Sequence, residues 1–390
     1  MKILFIPNIN SFVMKIAIEA QRIFRKDKHG MDFVILEELR KIRDLDHKNE
    51  YFVFVAPGND VCLDESENMH VNVLKCPTYP LWEQIALPVA VKKTGADILH
   101  CTSNTAPLKC PVPLLLTLHD VIFMEKKHSG SSSLYQKLGW RYRRMVVPYV
   151  AAHSACVITV SEYEKKRIKK YLDLPEDRVK VIYNGYGEHF RPVSDYYKVT
   201  SMYLPDKKYI FFLGNRDPKK NTEGTLRAYA SYLGRSSRRY PLLIADLDKN
   251  YVSYLLRVNS IGWIMPYLRF AGYIPNKDLP YLYCGASAYL YTSLRESFGI
   301  PLLESMACGT PVITSRTSAM PEIAGEGAVL ADPDDPADIA SCLIRLEVDE
   351  AYRKNISEYG LRRVAEFSWK TSAEKLLEVY EDTAYSVGIH

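Results

Sequence analysis

Glu296 and Glu304 stand eight positions apart in the run Arg295-Glu296-Ser297-Phe298-Gly299-Ile300-Pro301-Leu302-Leu303-Glu304. Between them Gly299-Ile300-Pro301 reads as a helix start, with proline near the first turn. Such a start offers unpaired N–H groups and the positive end of a dipole, which suits a phosphate. Carboxylates repel phosphate, so the two glutamates suit neutral hydroxyls on either side of it. A ligand carrying hydroxyls, then phosphate, then more hydroxyls is a nucleotide sugar. Two carboxylates could also hydrolyse a glycosidic bond, which they must flank at roughly 5–9.5 Å. Eight residues of helix would span about 12 Å, so hydrolysis is disfavoured, although part of the stretch is loop.

A second phosphate element is Gly214-Asn215-Arg216-Asp217-Pro218-Lys219-Lys220-Asn221, directly after the apolar run Tyr209–Leu213. Gly214 lets backbone approach a ligand, and Arg216, Lys219 and Lys220 supply positive charge. Ser305 to Ile313 continues the helix, turns at Gly309 and enters a strand. Small Ala307 lets helix and sheet pack closely, so this piece reads as scaffold.

The elements that must position these residues alternate in type. Apolar runs predict strands at Met14–Glu19, Tyr51–Val55, Val71–Leu74, Ile98–His100, Leu114–Leu118, Val157–Val160 and Val179–Ile182. A helical pattern runs from Asp32, read as its N-cap, to Leu45. After Asn184-Gly185 and Arg191-Pro192 a second series begins, with strands at Tyr209–Leu213, Leu242–Ala245, Leu268–Ala271, Ala288–Tyr291, Val312–Thr314 and Ala328–Leu330. Strands alternating with helices argue for an α/β architecture of two doubly wound parallel sheets. In such sheets ligands bind beyond the carboxyl ends of the strands. The opening Met1-Lys2-Ile3-Leu4-Phe5-Ile6 is echoed by Met14-Lys15-Ile16-Ala17-Ile18-Glu19, and Met14 is taken as the start of the core, with 1–13 an added segment.

A chain of 390 residues exceeds one ordinary core and implies two domains. The net charge of +5 is compatible with an anionic ligand or membrane surface but does not indicate nucleic acid. None of the eight cysteines forms a C-x-x-C pair, so they read as reduced thiols of a cytosolic protein rather than zinc ligands. No stretch reaches the ~18 apolar residues of a membrane span. Lys2–Ile6 is too short for a signal peptide. No G-x-G-x-x-G follows a strand, which argues against a nicotinamide enzyme. Asp44-Leu45-Asp46 and Asp246-Leu247-Asp248 match the D-x-D of metal-dependent transferases of another fold; neither is read as a metal site.

The run from Phe270 to Pro333 resembles the donor-binding domain of retaining GT-B glycosyltransferases of family 4. The resemblance rests on Gly272, Leu279-Pro280-Tyr281-Leu282-Tyr283, the two glutamates with seven residues between them, Ala307-Cys308-Gly309-Thr310-Pro311-Val312 and Pro321-Glu322-Ile323-Ala324-Gly325. It continues to Phe367-Ser368-Trp369. It reaches back to Ile182-Tyr183-Asn184-Gly185, Val160-Ser161-Glu162, Leu118-His119-Asp120, and Ile16-Ala17-Ile18-Glu19 with Gly30, nearly the whole chain from Met14.

The resemblance implies two Rossmann-like domains facing across a cleft. It divides the chain into an acceptor-side domain at 1–188, a donor-binding domain at 189–368, and a C-terminal helix at 369–390 crossing back to the first. Glu304 is expected to hold ribose hydroxyls and Glu296 the transferred sugar's hydroxyls. Lys220, with Lys219 or Arg216, is expected to neutralise the diphosphate, alongside Gly214. The Phe298 and Gly299 amides face sugar and phosphates, His119 sits near the reacting centre, and Gly30 lies in the loop nearest diphosphate and acceptor. His119, Glu296 and Lys220 are the expected catalytic residues, with no enzyme nucleophile, no metal and no cofactor. The implied activity moves a sugar from a UDP- or GDP-sugar to a glycan or lipid-linked acceptor. Rival readings are a nucleotide-sugar epimerase on the same fold and a catalytically silent glycan- or partner-binding protein.

The chain departs from the family pattern at Ser297 and Asp246, where glycine is frequent, at Lys219, where arginine is common, and at Met31-Asp32-Phe33, where small residues are usual. The basic stretches Lys137–Arg144, interleaved with Trp140 and Tyr142, and Lys165–Lys170 suggest contact with anionic lipid. The expected location is the cytoplasm, peripheral at the inner face of the membrane.

Overall fold

The computed structural model describes residues 13–125 and 134–389; of the expected added segment only Val13 falls within them. The described residues form two compact units. One runs to Val160 and adds Glu164–Ile182 and the chain from Trp369 onward; the other is Ser161–Tyr163 with Tyr183–Ser368.

The first unit holds strands β1 (Lys15–Glu19), β2 (Glu50–Val55), β3 (Met69–Val73), β4 (Ile98–Cys101), β5 (Leu114–Thr117), β6 (Cys156–Thr159) and β7 (Val179–Val181). They form one sheet in the order β3-β2-β1-β4-β5-β6-β7, and every pairing is parallel. The helices are α1 (Gly30–Leu45), α2 (residues 79–94, with a π-helical turn at Trp82–Ala86), α3 (Leu134–His153) and α4 (Glu162–Leu172). In the second unit β8 (Ile210–Leu213), β9 (Leu242–Ala245), β10 (Leu268–Gly272), β11 (Ala288–Tyr291), β12 (Val312–Ser315) and β13 (Val329–Ala331) form a sheet ordered β10-β9-β8-β11-β12-β13, again parallel. Its main helices are α5 (Thr222–Arg235), α6 (Lys249–Val258), α7 (Leu279–Gly285), α8 (Ile300–Ala307), α9 (Pro336–Val348) and α10 (Glu350–Val364). The last helix, α11 (Trp369–Ser386), belongs to the first unit.

Parallel sheets are covered on both faces, which is why their strands read as continuous apolar runs. All four residues of β4, of β5 and of β6 are buried. In β1, Ile16 and Ile18 join the core under α1 and α11, while Ala17 joins the core under α2 and α3. Two buried contacts dock α11 within its unit. Ser372 Oγ donates to Glu38 Oε1 at 2.9 Å, and Tyr380 Oη lies 2.8 Å from His100 Nδ1.

Both sheets reverse their strand order once. In the first the reversal falls between β1 and β4; in the second, between β8 and β11. Loops leaving such a pair of strands diverge and open a crevice at the carboxyl edge, where ligands of doubly wound sheets bind. The two sheets thus define one such crevice each.

The expected strands recur with end shifts of one or two residues, the usual fraying of element ends. One helix start is corrected. Helix α1 begins at Gly30, its N-cap is His29, and Asp32 is the third helical residue. There Asp32 Oδ2 accepts the His29 N–H at 2.9 Å, closing the helix start as a capping box does. Its Oδ1 accepts from Arg22 Nε at 2.9 Å, and Arg25 Nη1 lies 3.8 Å from Oδ2. The Asp32 carboxylate is buried, so it ties the whole β1–α1 loop to the helix. Asp32→Ala should therefore destabilise the protein by about 2 kcal/mol in urea unfolding, combining a lost cap with a stranded arginine. Asp32→Asn, which keeps an acceptor for the cap, should lose less.

Candidate functional site

In the second unit the loops at the β8/β11 reversal are residues 214–221 and 292–299. They are bound to each other. The Leu294 N–H donates to Lys219 O at 2.7 Å. Asn221 Nδ2 donates to Thr292 O at 3.0 Å and to Pro333 O at 2.7 Å. Asn221 sits at φ 57°, in the left-handed region that asparagine tolerates, and starts α5 from there. Thr225 and Thr292 share a buried hydroxyl pair at 2.7 Å.

This frame brings Lys220 Nζ to 2.6 Å from Glu296 Oε1, across 76 positions of sequence. The pair is largely buried, and the ammonium also lies 5.8 Å from the Tyr291 ring centre. Glu296 is held from behind: its N–H donates to Ser318 Oγ at 3.2 Å. Ser161 Oγ donates to Ser297 O at 2.7 Å, and the buried Phe298 ring packs against Tyr183, tilted, and edge-on against Phe367. Gly299 then caps α8 at φ 98°. That backbone conformation strains any residue with a Cβ, so the turn favours glycine. Pro301 occupies the first turn as expected.

Glu304 lies one turn into α8, beside the buried rings of Tyr283 and Tyr289. Among the described residues its carboxylate has no hydrogen-bond or ion-pair partner. Burial alone pushes its pKa up to about 8. A half-buried carboxyl group without a partner, one turn from a helix N-terminus, is a ready acceptor for a ligand's hydroxyls.

The structure gives several of the expected residues other employment. Arg216 pairs with Asp248 and stacks on Tyr251 at 4.9 Å. Asp248 also caps α6 by accepting the Tyr251 N–H at 2.9 Å. Lys219 Nζ lies 3.8 Å from Asp217 Oδ2. The place a Cβ would take at Gly214 is filled by Leu247; that glycine is required by packing within the sheet edge, a different reason from ligand approach. Asp246 sits at φ 60°, in the left-handed region that glycine enters freely and aspartate only at a steric cost. Asp46 ends α1 and accepts from Lys48 N–H, Asn49 Nδ2 and Tyr51 Oη. Among the described residues no group of three or more His, Cys, Asp or Glu is arranged around a common point as metal ligands would be.

In the first unit His119 follows β5 and is buried. Its N–H donates to Asn104 Oδ1 at 2.6 Å, and its Nε2 lies 3.0 Å from Thr102 O. A carbonyl only accepts, so Nε2 carries the proton. Burial lowers the ring's pKa, which keeps it neutral and leaves Nδ1 as an acceptor. Gly30 is the exposed first residue of α1. Sequence reasoning missed the buried Glu19 and Glu83, the first at the end of β1 and the second in the π-helical turn of α2. Glu19 closes an otherwise apolar strand, a signal that was available; nothing local marks Glu83.

Two parallel doubly wound sheets, each with its crevice at a strand-order reversal, define a GT-B architecture, here with a glutamate–lysine pair and a free glutamate at one of them. A family model described as Glycosyltransferase Family 4 matches residues 29–187, and one described as Glycosyl transferases group 1 matches residues 203–363. The chain belongs to the GT-B glycosyltransferases of family 4. It is 31% identical over 232 residues to O-antigen chain mannosyltransferase B of Escherichia coli, covering 58% of this chain and 60% of that one. It is 30% identical over 314 residues to the serotype-specific mannosyltransferase WbdA of Escherichia coli, covering 76% of this chain and 38% of that one. The chain thus spans less than two thirds of the length of each of these curated relatives. Among solved structures, HepE from Anabaena in complex with UDP and glucose shares the fold, with a TM-score of 0.72 at 18% identity, covering 94% of this chain and 99% of that one.

The raised Glu304 pKa has a sign that can be measured. The folded group, near 8, holds its proton more tightly than the unfolded group, near 4.5. Folding stability is therefore lost as pH rises through the window from 4.5 to 8. Glu304→Gln should become progressively more stable than wild type across that window in urea unfolding at pH 5, 6.5 and 8. A constant difference at all three values would show that Glu304 does not titrate there.

Proposed function

We propose that this protein is a metal-independent, retaining glycosyltransferase. It moves a sugar from a nucleotide-diphosphate donor to a glycan or lipid-linked acceptor in polysaccharide or glycoconjugate assembly. The observation that carries this reading is the second unit's crevice, where the paired Lys220 and Glu296, the N-terminus of α8 and the partnerless Glu304 lie along consecutive structure. Glu304 is suited to ribose hydroxyls, the helix start with the Phe298 and Gly299 amides to the diphosphate, and Glu296 to the transferred sugar. The E. coli relatives are named mannosyltransferases, and HepE was solved with UDP and glucose; GDP- and UDP-sugars are accordingly the donors proposed.

The chemistry follows from where charge develops. Breaking the glycosyl–phosphate bond leaves negative charge on the diphosphate and positive character on the sugar carbon. The α8 dipole, Lys220 and Lys219 supply fixed positive charge for the leaving group. Lys220 is already oriented by Glu296, so little reorganisation is needed as charge builds. Arg216, engaged by Asp248, is assigned a lesser part than the lysines. His119, neutral with Nδ1 as acceptor, is assigned to a hydroxyl of the transferred sugar, and Gly30 to the loop serving the acceptor. No residue is assigned as a nucleophile; attack on the face the diphosphate leaves retains the anomeric configuration.

Thermal shift against UDP-, GDP- and ADP-sugars should show stabilisation by one class. Glu304→Ala should weaken binding of that donor about tenfold, the scale of one to two net hydrogen bonds. Glu296→Ala should mainly lower kcat. Wild-type transfer by both variants would overturn the assignment.

The lipid-linked acceptor reading has its own surface. No described helix is long and apolar enough to cross a membrane. On α3, however, Leu138, Met145 and Tyr149 are exposed at one-face spacing, beside exposed Lys137, Arg141 and Arg144. The aromatic residues of the sequence-level reading are placed otherwise: Tyr142 turns inward to Glu83, and Trp140 lies under the Arg144 guanidinium. On α4, Lys165 and Lys169 pair with Glu176, while Lys166 and Lys170 stay exposed. We propose that the α3 face rests on anionic lipid, with apolar side chains inserted and cations at the headgroups. Co-sedimentation with vesicles should rise with anionic lipid content and fall in a Leu138→Glu, Met145→Glu variant. Binding indifferent to both changes would remove the membrane from the reading.

A further inference from the structure

The first unit contains two buried carboxylates that the proposed chemistry does not use, and both grip the same loop. That loop, residues 102–105, leaves β4 at the β1/β4 reversal. Glu19, at the end of β1, is 1% exposed; Glu83 is fully buried. Among the described residues neither forms an ion pair. Uncompensated buried carboxylates are costly and persist where hydrogen bonds offset the burial. Here those bonds converge on one segment.

Glu19 Oε2 accepts the Thr102 N–H at 3.1 Å, and Glu19 O accepts the Thr102 hydroxyl at 2.7 Å. Its other oxygen accepts the Gln21 N–H at 2.9 Å, which prevents the side chain from swinging away. At the far end of the loop Glu83 Oε2 accepts from Thr105 Oγ1 and from Tyr79 Oη. Glu83 Oε1 accepts from Tyr142 Oη at 2.5 Å and Gln84 Nε2 at 2.8 Å. The π-helical turn at Trp82–Ala86 sits where this side chain enters the interior, a local irregularity of the kind that accompanies function.

Between the two grips the loop does one thing for His119: it determines the ring's position and tautomer. Asn104, in the left-handed region at φ 67°, accepts the His119 backbone N–H through Oδ1. Thr102 O takes the Nε2 proton. If Thr102 shifted, Nε2 would lose the acceptor that keeps its proton there, and the ring would exchange between tautomers.

We propose that Glu19 and Glu83 are positioning residues that clamp the 102–105 loop from its two ends and thereby hold His119 as a single Nε2–H tautomer with Nδ1 presented as an acceptor. The catalytic consequence rests on the assignment of His119 to the transferred sugar; the tautomer consequence does not. In Glu19→Gln the amide can replace one oxygen, but its NH2 meets an N–H donor, so one grip reverses from attraction to conflict. Thr102→Val removes the hydroxyl tie to Glu19 O at nearly constant volume. Thr102→Ser keeps it.

Nitrogen-15 NMR of the full-length protein labelled at histidine, with the His119 ring assigned by its loss in His119→Gln, reads the tautomer directly. Wild type and Thr102→Ser should show protonated Nε2 alone. Glu19→Gln, Glu83→Gln and Thr102→Val should show mixed tautomers. Steady-state kinetics of the same variants should show kcat reduced about 10- to 100-fold, the scale for a misplaced group, with donor Kd within about twofold of wild type. An unchanged His119 signature in folded Glu19→Gln and Thr102→Val overturns the clamp. Should Glu19→Gln unfold, Thr102→Val and Glu83→Gln decide alone. Mixed tautomers in those variants, with a wild-type protein that transfers no sugar, would leave the clamp standing and overturn the proposed function instead.

Discussion

The second unit's site depends on one hydrogen bond pattern between two loops. The Leu294 N–H bond to Lys219 O and the double donation from Asn221 hold residues 214–221 against residues 292–299. Each loop runs from a strand into a helix, and reversal of strand order lets neighbouring loops diverge. Without this lacing, Lys220 and Glu296 would each be a charged group at the rim of a crevice, exposed and conformationally free. With it they form a close, largely buried pair. Orientation of that lysine is thus a property of the sheet's connectivity as much as of the lysine.

Charge placement follows the same economy in both units. Glu296 has a cation; Glu304 has none, and burial raises its pKa to about 8. In the first unit Glu19 and Glu83 also lack cations, yet both are saturated by N–H and O–H donors. A buried carboxylate surrounded by donors is finished structure. A carboxyl group with no donor beside a helix N-terminus is unfinished, and binding of hydroxyls would complete it. That contrast, rather than the presence of glutamates, separates a candidate ligand group from a structural one.

The departures from the family pattern acquire physical meanings from their surroundings. Asp32 carries the β1–α1 loop through Arg22 and closes the start of α1. Asp246 keeps a backbone shape that glycine adopts freely. Ser297 offers its carbonyl to Ser161 Oγ, a backbone role that any residue there could play. The first of these lies in the first unit, and the loop it holds presents Arg25, Lys26 and His29 to solvent.

What the sequence by itself determined is everything written in local periodicity and spacing. Buried parallel strands are short apolar runs, so thirteen of them were legible within a residue or two. Gly299-Ile300-Pro301 declared a helix start because φ, capping and the missing proline N–H are local properties. Several spaced motifs in order declared the family. Only the tertiary structure decided which of the basic residues after β8 points where: Lys220 meets a partner 76 positions away, while Arg216 turns to Asp248. It alone turned Tyr142 inward and brought Glu19 and Glu83 to opposite ends of one loop. Such contacts join residues distant in sequence through strand order and loop divergence. No periodicity records them, because a side chain's partner is set by what the fold brings beside it.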